Sequence, residues 1–124
     1  MHVEVTEAIK KLTSDVCQRE VCFQDYLAVL LGAKVRMVIN DIEVDVYGGR
    51  FAIEVKVNPR IYDGIGQALA YRRLLGIEEV WLVHIFTYKI DWEKWCNNLG
   101  KLLMGTSINY AVVTPINHCI RTEI

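Results

Sequence analysis

Residues 41–57 read DIEVDVYGGRFAIEVKV. Apolar and polar residues alternate on either side of Gly48-Gly49, which is how two strands joined by a two-residue turn read. That turn sets Val46 opposite Phe51, Val44 opposite Ile53 and Glu43 opposite Glu54. Opposed residues share a face of a sheet. Ile42, Val44, Val46, Phe51, Ile53, Val55 and Val57 then make one apolar face, and Glu43, Asp45, Ala52, Glu54 and Lys56 make the other. Like charges set across a sheet repel. A divalent cation between Asp45 and Glu54 removes that penalty, and Mg²⁺ needs only a few carboxylate oxygens beside its waters. Lys56 on the same face offsets phosphate charge and orients or helps deprotonate a metal-bound water. The plain alternative is a hairpin with one solvated face. A helix expected directly after Lys56 argues against it, because a sheet covered on both sides keeps acids inside only when they are partnered.

Outward from the hairpin, residues 34–40 (KVRMVIN) alternate and predict a strand, followed by strands over 41–47 and 50–57. Before them a helix is expected over 14–31, capped by Thr13 or Ser14 and closed by Gly32. Val16, Phe23, Leu27, Leu30 and Leu31 are its apolar stripe. Asn58-Pro59 ends the hairpin, and a second helix is expected over 60–75, closed by Gly76. Residues 79–86 (EVWLVHIF) are nearly continuous apolar sequence, as in a strand buried on both faces. Asp91 caps a third helix over 92–104, and residues 108–113 (INYAVV) form a last strand, with the tail from Asn117 unassigned. The expected fold class is α/β, a mixed central sheet flanked by helices in the order α-β-β-β-α-β-α-β.

Asp45, eight residues, then Glu54-Val55-Lys56 resembles the signature of the PD-(D/E)xK nucleases, the restriction-endonuclease-like superfamily. That family sets its aspartate on the second core strand and its Glu-x-Lys on the third, where both are expected here. Glu20 falls on the first helix, where members often carry a glutamate. Gln67-Ala68-Leu69-Ala70-Tyr71 is similar to the Gln-x-x-x-Tyr of the RecB-type branch, and its two polar ends stack on one helix side. The resemblance runs from about residue 14 to 86. Val44 stands where the motif's name has proline.

The resemblance implies a restriction-endonuclease-like core and hydrolysis of phosphodiester bonds, in DNA by expectation. It implies that Asp45, Glu54 and the Val55 carbonyl ligate Mg²⁺ or Mn²⁺, with Glu20 binding metal directly or through water. Lys56 would position or activate the attacking water. Gln67 and Tyr71 would orient the site or touch the strand. Of the cations nearby (Lys34, Arg36, Arg60, Arg72, Arg73), Arg60 at the start of the second helix and Arg72 after Tyr71 are candidate phosphate contacts. Glu7 and Asp25 are weaker substitutes for Glu20. Glu43 reads as a bystander, and His84 as a core histidine.

The chain has 124 residues and a net charge of −1, with 52% hydrophobic residues, which is one domain with a sizeable core. The even charge excludes a strongly basic nucleic-acid coat and a polybasic membrane anchor. No apolar run is long enough to span a membrane. Met1-His2-Val3-Glu4 lacks the pattern of a secretory leader, so a cytoplasmic chain is expected. Cys17, Cys22, Cys96 and Cys119 contain no CxxC and are expected as buried thiols, and their spacing does not fit the iron–sulfur cluster of some RecB-type relatives. Two other readings compete with a simple DNA nuclease. One is a homodimeric endonuclease similar to Holliday-junction resolvases, for which the apolar face of the 92–104 helix is either core or a dimer surface. The other is a non-catalytic nucleic-acid-binding or assembly domain on the same fold.

Overall fold

In a computed structural model, which describes residues 3–123, ten elements follow one another. They are α1 (Val3–Lys11), α2 (Glu20–Leu31), β1 (Lys34–Ile39), β2 (Ile42–Tyr47), β3 (Phe51–Val57), α3 (Ile65–Arg73), β4 (Glu79–Ile85), α4 (Trp92–Leu103), β5 (Asn109–Val113) and β6 (His118–Arg121). Met1, His2 and Ile124, which entered the reading of the two ends, lie outside the described residues. The six strands form one mixed sheet in the order β1-β2-β3-β4-β5-β6. β3, β4 and β5 run parallel, and the other neighbouring pairs are antiparallel. The two parallel links cross over through α3 and α4, which both pack on one face, as successive crossovers of one hand in one direction must.

A hydrophobic cluster lies on each face. On one, Val5, Ile9 and Leu12 from the α1 region and Phe23 and Leu27 of α2 meet Val46, Ile53, Val55, Trp81 and Val83. On the other, Ala68 and Tyr71 of α3 and Cys96, Leu99 and Leu103 of α4 meet Val44, Ala52, Val80, Leu82 and Val112. The apolar face of α4 is therefore core. Asp91 caps that helix by accepting the Lys94 N–H at 3.2 Å. β4, in the middle of the sheet, is buried along nearly its whole length.

The hairpin departs from expectation in register and in phase. Val46 pairs with Ile53 and Tyr47 with Ala52, two residues away from the expected pairing. The connection is residues 48–50, closed by the Gly48 N–H on the Phe51 carbonyl at 3.0 Å. The Phe51 ring folds over Gly48, where a Cβ would collide with it, so Phe51 does not face Val46. An even shift keeps β3 on its expected faces, since side chains alternate with period two. The single apolar face expected along β2 does not form. Val46 packs in the first cluster, but Ile42 and Val44 pack in the second. The alternation changes phase at Asp45, whose carboxylate replaces a backbone carbonyl as acceptor for Val55. Across the neighbouring ladder, Arg36 lies between the pairs Val35–Val46 and Met37–Val44 and has a positive φ of 47°.

Helices α2 and α3 begin later than expected, α4 begins where expected, and two elements were not anticipated. The expected cap at Thr13 or Ser14 is absent: the Thr13 carbonyl accepts Val16 N–H in a turn, and α2 starts at Glu20 after Arg19. Gly32 does close α2, in the left-handed conformation (φ 63°). Residues 60–64 form turns, and α3 begins only after Gly64, whose φ of 86° breaks a continuous helix from Arg60. Helix α1 and strand β6 extend the expected order at its two ends.

The cysteines correct the expectation of free buried thiols. Cys17 is bonded to Cys22 and Cys96 to Cys119, with Cα separations of 5.7 and 6.5 Å, inside the range a disulfide spans. Folding explains both pairs, because the turn before α2 doubles back on its first turn and α4 packs beside β6. No described helix is long and apolar enough to cross a membrane.

Candidate active site

The change of phase in β2 creates the site. Past Val46, β2 and β3 part, and the Asp45 Oδ2 takes the Val55 N–H at 2.9 Å. The Asp45 backbone N–H donates to the Tyr71 hydroxyl at 3.3 Å. That hydroxyl, on α3, donates to the Glu43 carbonyl at 3.2 Å and to the Glu54 Oε1. A hydroxyl has one proton, so these two acceptors share it or Glu54 supplies its own. Tyr71 is fully buried and ties three residues of the hairpin to the crossover helix. Glu54 is 3% exposed, and its Oε2 lies 3.5 Å from the Lys56 ammonium.

The electrostatics follow from crowding acids in a dry place. Burial first, and then the neighbouring Asp45 charge, push the Glu54 carboxyl up to about 8. Asp45 is also raised, by burial, against the Val55 N–H, which favours its charged form. Burial works against the Lys56 charge, but Glu54, Glu20 and Asp45 together outweigh it and raise its pKa. Lys56 is thus an ammonium at neutral pH. A group of acids that holds a proton it would lose in water is a group that a cation can displace that proton from.

Glu20 opens α2 on the other side of the hairpin, with its Oε2 accepting the Val57 N–H at 3.3 Å. Among the described residues, no three His, Cys, Asp or Glu side chains stand together as a metal-holding group. Asp45 and Glu54 offer a two-carboxylate set, with Val55 directly after Glu54 in the chain, which suits an ion that keeps several waters. Glu20 lines the same cavity.

Glu20, Asp45, Glu54, Lys56 and Gln67 all line one open cavity of about 740 Å³. Gln67 is exposed there, one helical turn before the buried Tyr71. The candidate phosphate contacts Arg60 and Arg72 are not brought to it. Arg60 is held by Asp63, with its guanidinium over the Tyr62 ring at 5.1 Å. Arg72 donates to the Ile77 and Glu78 carbonyls at 3.2 and 2.6 Å and fastens the loop after α3. His84 is a core histidine: Trp95 Nε1 donates to its Nδ1 at 3.0 Å, so its Nε2 carries the proton shared with the Asp63 carbonyl at 2.8 Å. Burial lowers its pKa to about 4 and keeps it neutral.

Two residues that position the site were not singled out from the sequence. Gly64 lets the start of α3 approach β3: a Cβ there would lie 3.3 Å from the Glu54 Cγ, 3.2 Å from the Lys56 Cγ and 2.6 Å from a Leu82 methyl. The dipeptide Asp63-Gly64 inside an otherwise helical stretch was the available signal. Gln24 is buried one turn after Glu20 and accepts a hydrogen bond from Arg36 at 2.7 Å. A polar residue at i+4 from a candidate ligand was the signal there. No family model, no curated protein and no solved structure matches the chain.

Proposed function

We propose that the chain is a metal-dependent nuclease of restriction-endonuclease-like architecture that hydrolyses phosphodiester bonds, with DNA as substrate and Mg²⁺ or Mn²⁺ as cofactor. One observation carries the reading. Asp45, Glu54 and Lys56, which resemble the PD-(D/E)xK signature in sequence, share one cavity, where burial raises both carboxyls and the Asp45 charge raises Glu54 further.

In this reading Asp45, Glu54 and the Val55 carbonyl hold the cation, with Glu20 acting through water. The bound ion supplies Lewis-acid stabilisation of the phosphate and a nucleophile at neutral pH. Lys56 keeps its proton, so it contributes positive charge beside the attacked phosphate and orients water by donating hydrogen bonds. Tyr71 holds Glu54 and the Asp45 backbone in place. Gln67, exposed at the rim, meets the strand. Water's oxygen bonds to phosphorus, the bond from phosphorus to one sugar oxygen breaks, and the proton that the attacking water gives up ends, through solvent, on that leaving oxygen.

The test is cleavage of supercoiled, linear, single-stranded and four-way-junction DNA and of RNA with Mg²⁺ or Mn²⁺, with EDTA and Asp45→Ala as controls. Metal-dependent cutting that the variant loses is expected. Preference for the junction would make the enzyme resolvase-like. No cutting and no heat of metal binding would sink the catalytic reading and leave a binding domain.

A further inference from the structure

Among the described residues lining the cavity, the cations are Lys56 and Arg36. Lys56 is engaged with Glu54. Arg36 has a different support. Its Nη1 donates to the buried Gln24 Oε1 at 2.7 Å, and its Nη2 to the Asp25 Oδ1 at 2.8 Å. A guanidinium has five N–H donors in a fixed plane, so these two bonds orient the group and leave others for a ligand.

The backbone beneath is strained in the same place. Arg36 sits at φ 47°, a region that side chains with a Cβ seldom occupy. It does so at the level of Asp45, where β2 changes phase. Strain of this kind persists only where the surroundings enforce it, and it gathers at working sites. A merely structural arginine joining α2 to β1 needs neither this backbone nor a place in a cavity lined by five acids, Glu20, Asp41, Glu43, Asp45 and Glu54.

We propose that Arg36, aligned by Gln24 and Asp25, binds the phosphate next to the scissile one and so fixes the register of a nucleic-acid strand in the site. The proposal rests on the nuclease reading. It gives the cavity two phosphate positions, one at Lys56 and one at Arg36, and makes a dinucleotide step rather than an isolated phosphoester the recognised unit.

The experiment uses a DNA strand that the wild type cuts, made again with one uncharged methylphosphonate in place of the phosphate beside the cleaved bond. Wild type is expected to lose about tenfold in kcat/KM on the modified strand, the size of one charge-assisted contact. Arg36→Gln loses a similar amount on the natural strand, mainly in KM, and is indifferent to the modification. Arg36→Lys, which keeps the charge, stays sensitive to it and serves as the folded control. Equal sensitivity of wild type and Arg36→Gln would overturn the proposal. Binding of a labelled strand in Ca²⁺ is measured alongside. There the dependence of log affinity on log salt should be shallower by about one in Arg36→Gln. A wild type that never cuts while this slope still drops would defeat the nuclease reading and keep the phosphate contact. An unchanged slope defeats the contact itself.

Discussion

The Asp45 Oδ2 and the Val55 N–H form a 2.9 Å hydrogen bond where a backbone carbonyl would otherwise continue the ladder. One carboxylate therefore separates two strands and faces the cavity between them. Asp45→Asn keeps an oxygen for Val55 and removes the charge beside Glu54. In EDTA at pH 8 it should melt above wild type. Asp45→Ala leaves the N–H without its acceptor, a cost of about 1–3 kcal/mol, and should melt below Asp45→Asn. Neither should cut nucleic acid. Identical melting of the two variants would show that the hydrogen bond carries no stability.

Tyr71→Phe tests the tie between α3 and the hairpin. It strips a partner from buried Glu54, from the Asp45 N–H and from the Glu43 carbonyl. Stability should fall by about 1–3 kcal/mol. Metal affinity or cleavage should fall by about ten- to a hundredfold, as when a ligand's support is lost. Gln67→Ala, at an exposed position, should stay within about 0.5 kcal/mol of wild type in stability while weakening strand binding.

Glu54 gives the metal-free protein an unusual dependence on pH. Its folded pKa of about 8 stands above the ordinary carboxyl value of 4.5. The unfolded chain loses this proton near 4.5, whereas the folded chain keeps it until about 8. Stability from this group is thus full below pH 4.5 and declines as pH rises through that window to about 8. Chemical denaturation in EDTA should show the decline, amounting to a few kcal/mol at most. Glu54→Gln should flatten it. Mn²⁺ should restore stability at pH 8, with a proton released on binding near pH 7, measurable by calorimetry in buffers of different ionisation heat.

Gly64→Ala combines a φ of 86° with a Cβ 2.6 Å from a methyl of fully buried Leu82. A loss of about 1–3 kcal/mol is expected, with cleavage reduced further because Glu54 and Lys56 must shift to make room. Wild-type melting and activity in this variant would mean that α3 can retreat without cost.

The Cys96–Cys119 bond closes a separation of 23 residues, and Cys17–Cys22 one of 5. The longer loop loses more unfolded-state entropy, about 3 kcal/mol. A Cys96→Ala/Cys119→Ala variant should therefore lose more stability than Cys17→Ala/Cys22→Ala. Reductant should lower the wild-type melt most, and lower the double variant of the long loop less, because only the short Cys17–Cys22 loop remains there to open. No effect of reductant would mean that these sulfurs are thiols in solution.

Much of this was legible in the chain because local rules act alone there. Residues 79–86 read as a buried strand, Asp91 as a cap and Gly32 as a stop, and each is so. The faces of β3 were readable because an even register shift leaves alternation intact. The phase change in β2 was not, because it depends on a side chain taking a backbone's hydrogen bond, which no periodicity encodes. The grip of Gln24 on Arg36 joins residues twelve apart on different elements, and the sequence placed both without pairing them. Helix α1 was overlooked although Val5, Ala8, Ile9 and Leu12 recur at helical spacing. The disulfides required knowing that α4 lies beside β6.

Strand order in space repeats strand order in the chain from β1 to β6. Each strand thus docks on one made just before it, and no strand must wait for a distant strand or thread past an earlier one. The closure entropy is met in short steps, which favours rapid folding for a sheet that includes parallel pairs. Glu20, Asp45, Glu54, Lys56 and Tyr71 all precede β4 in the chain. A chain leaving the ribosome N-terminus first therefore brings its acids together before the strands that bury them from the far side exist. Glu54 pairs with Leu82 in the parallel ladder, so its burial is completed only once β4 is in place.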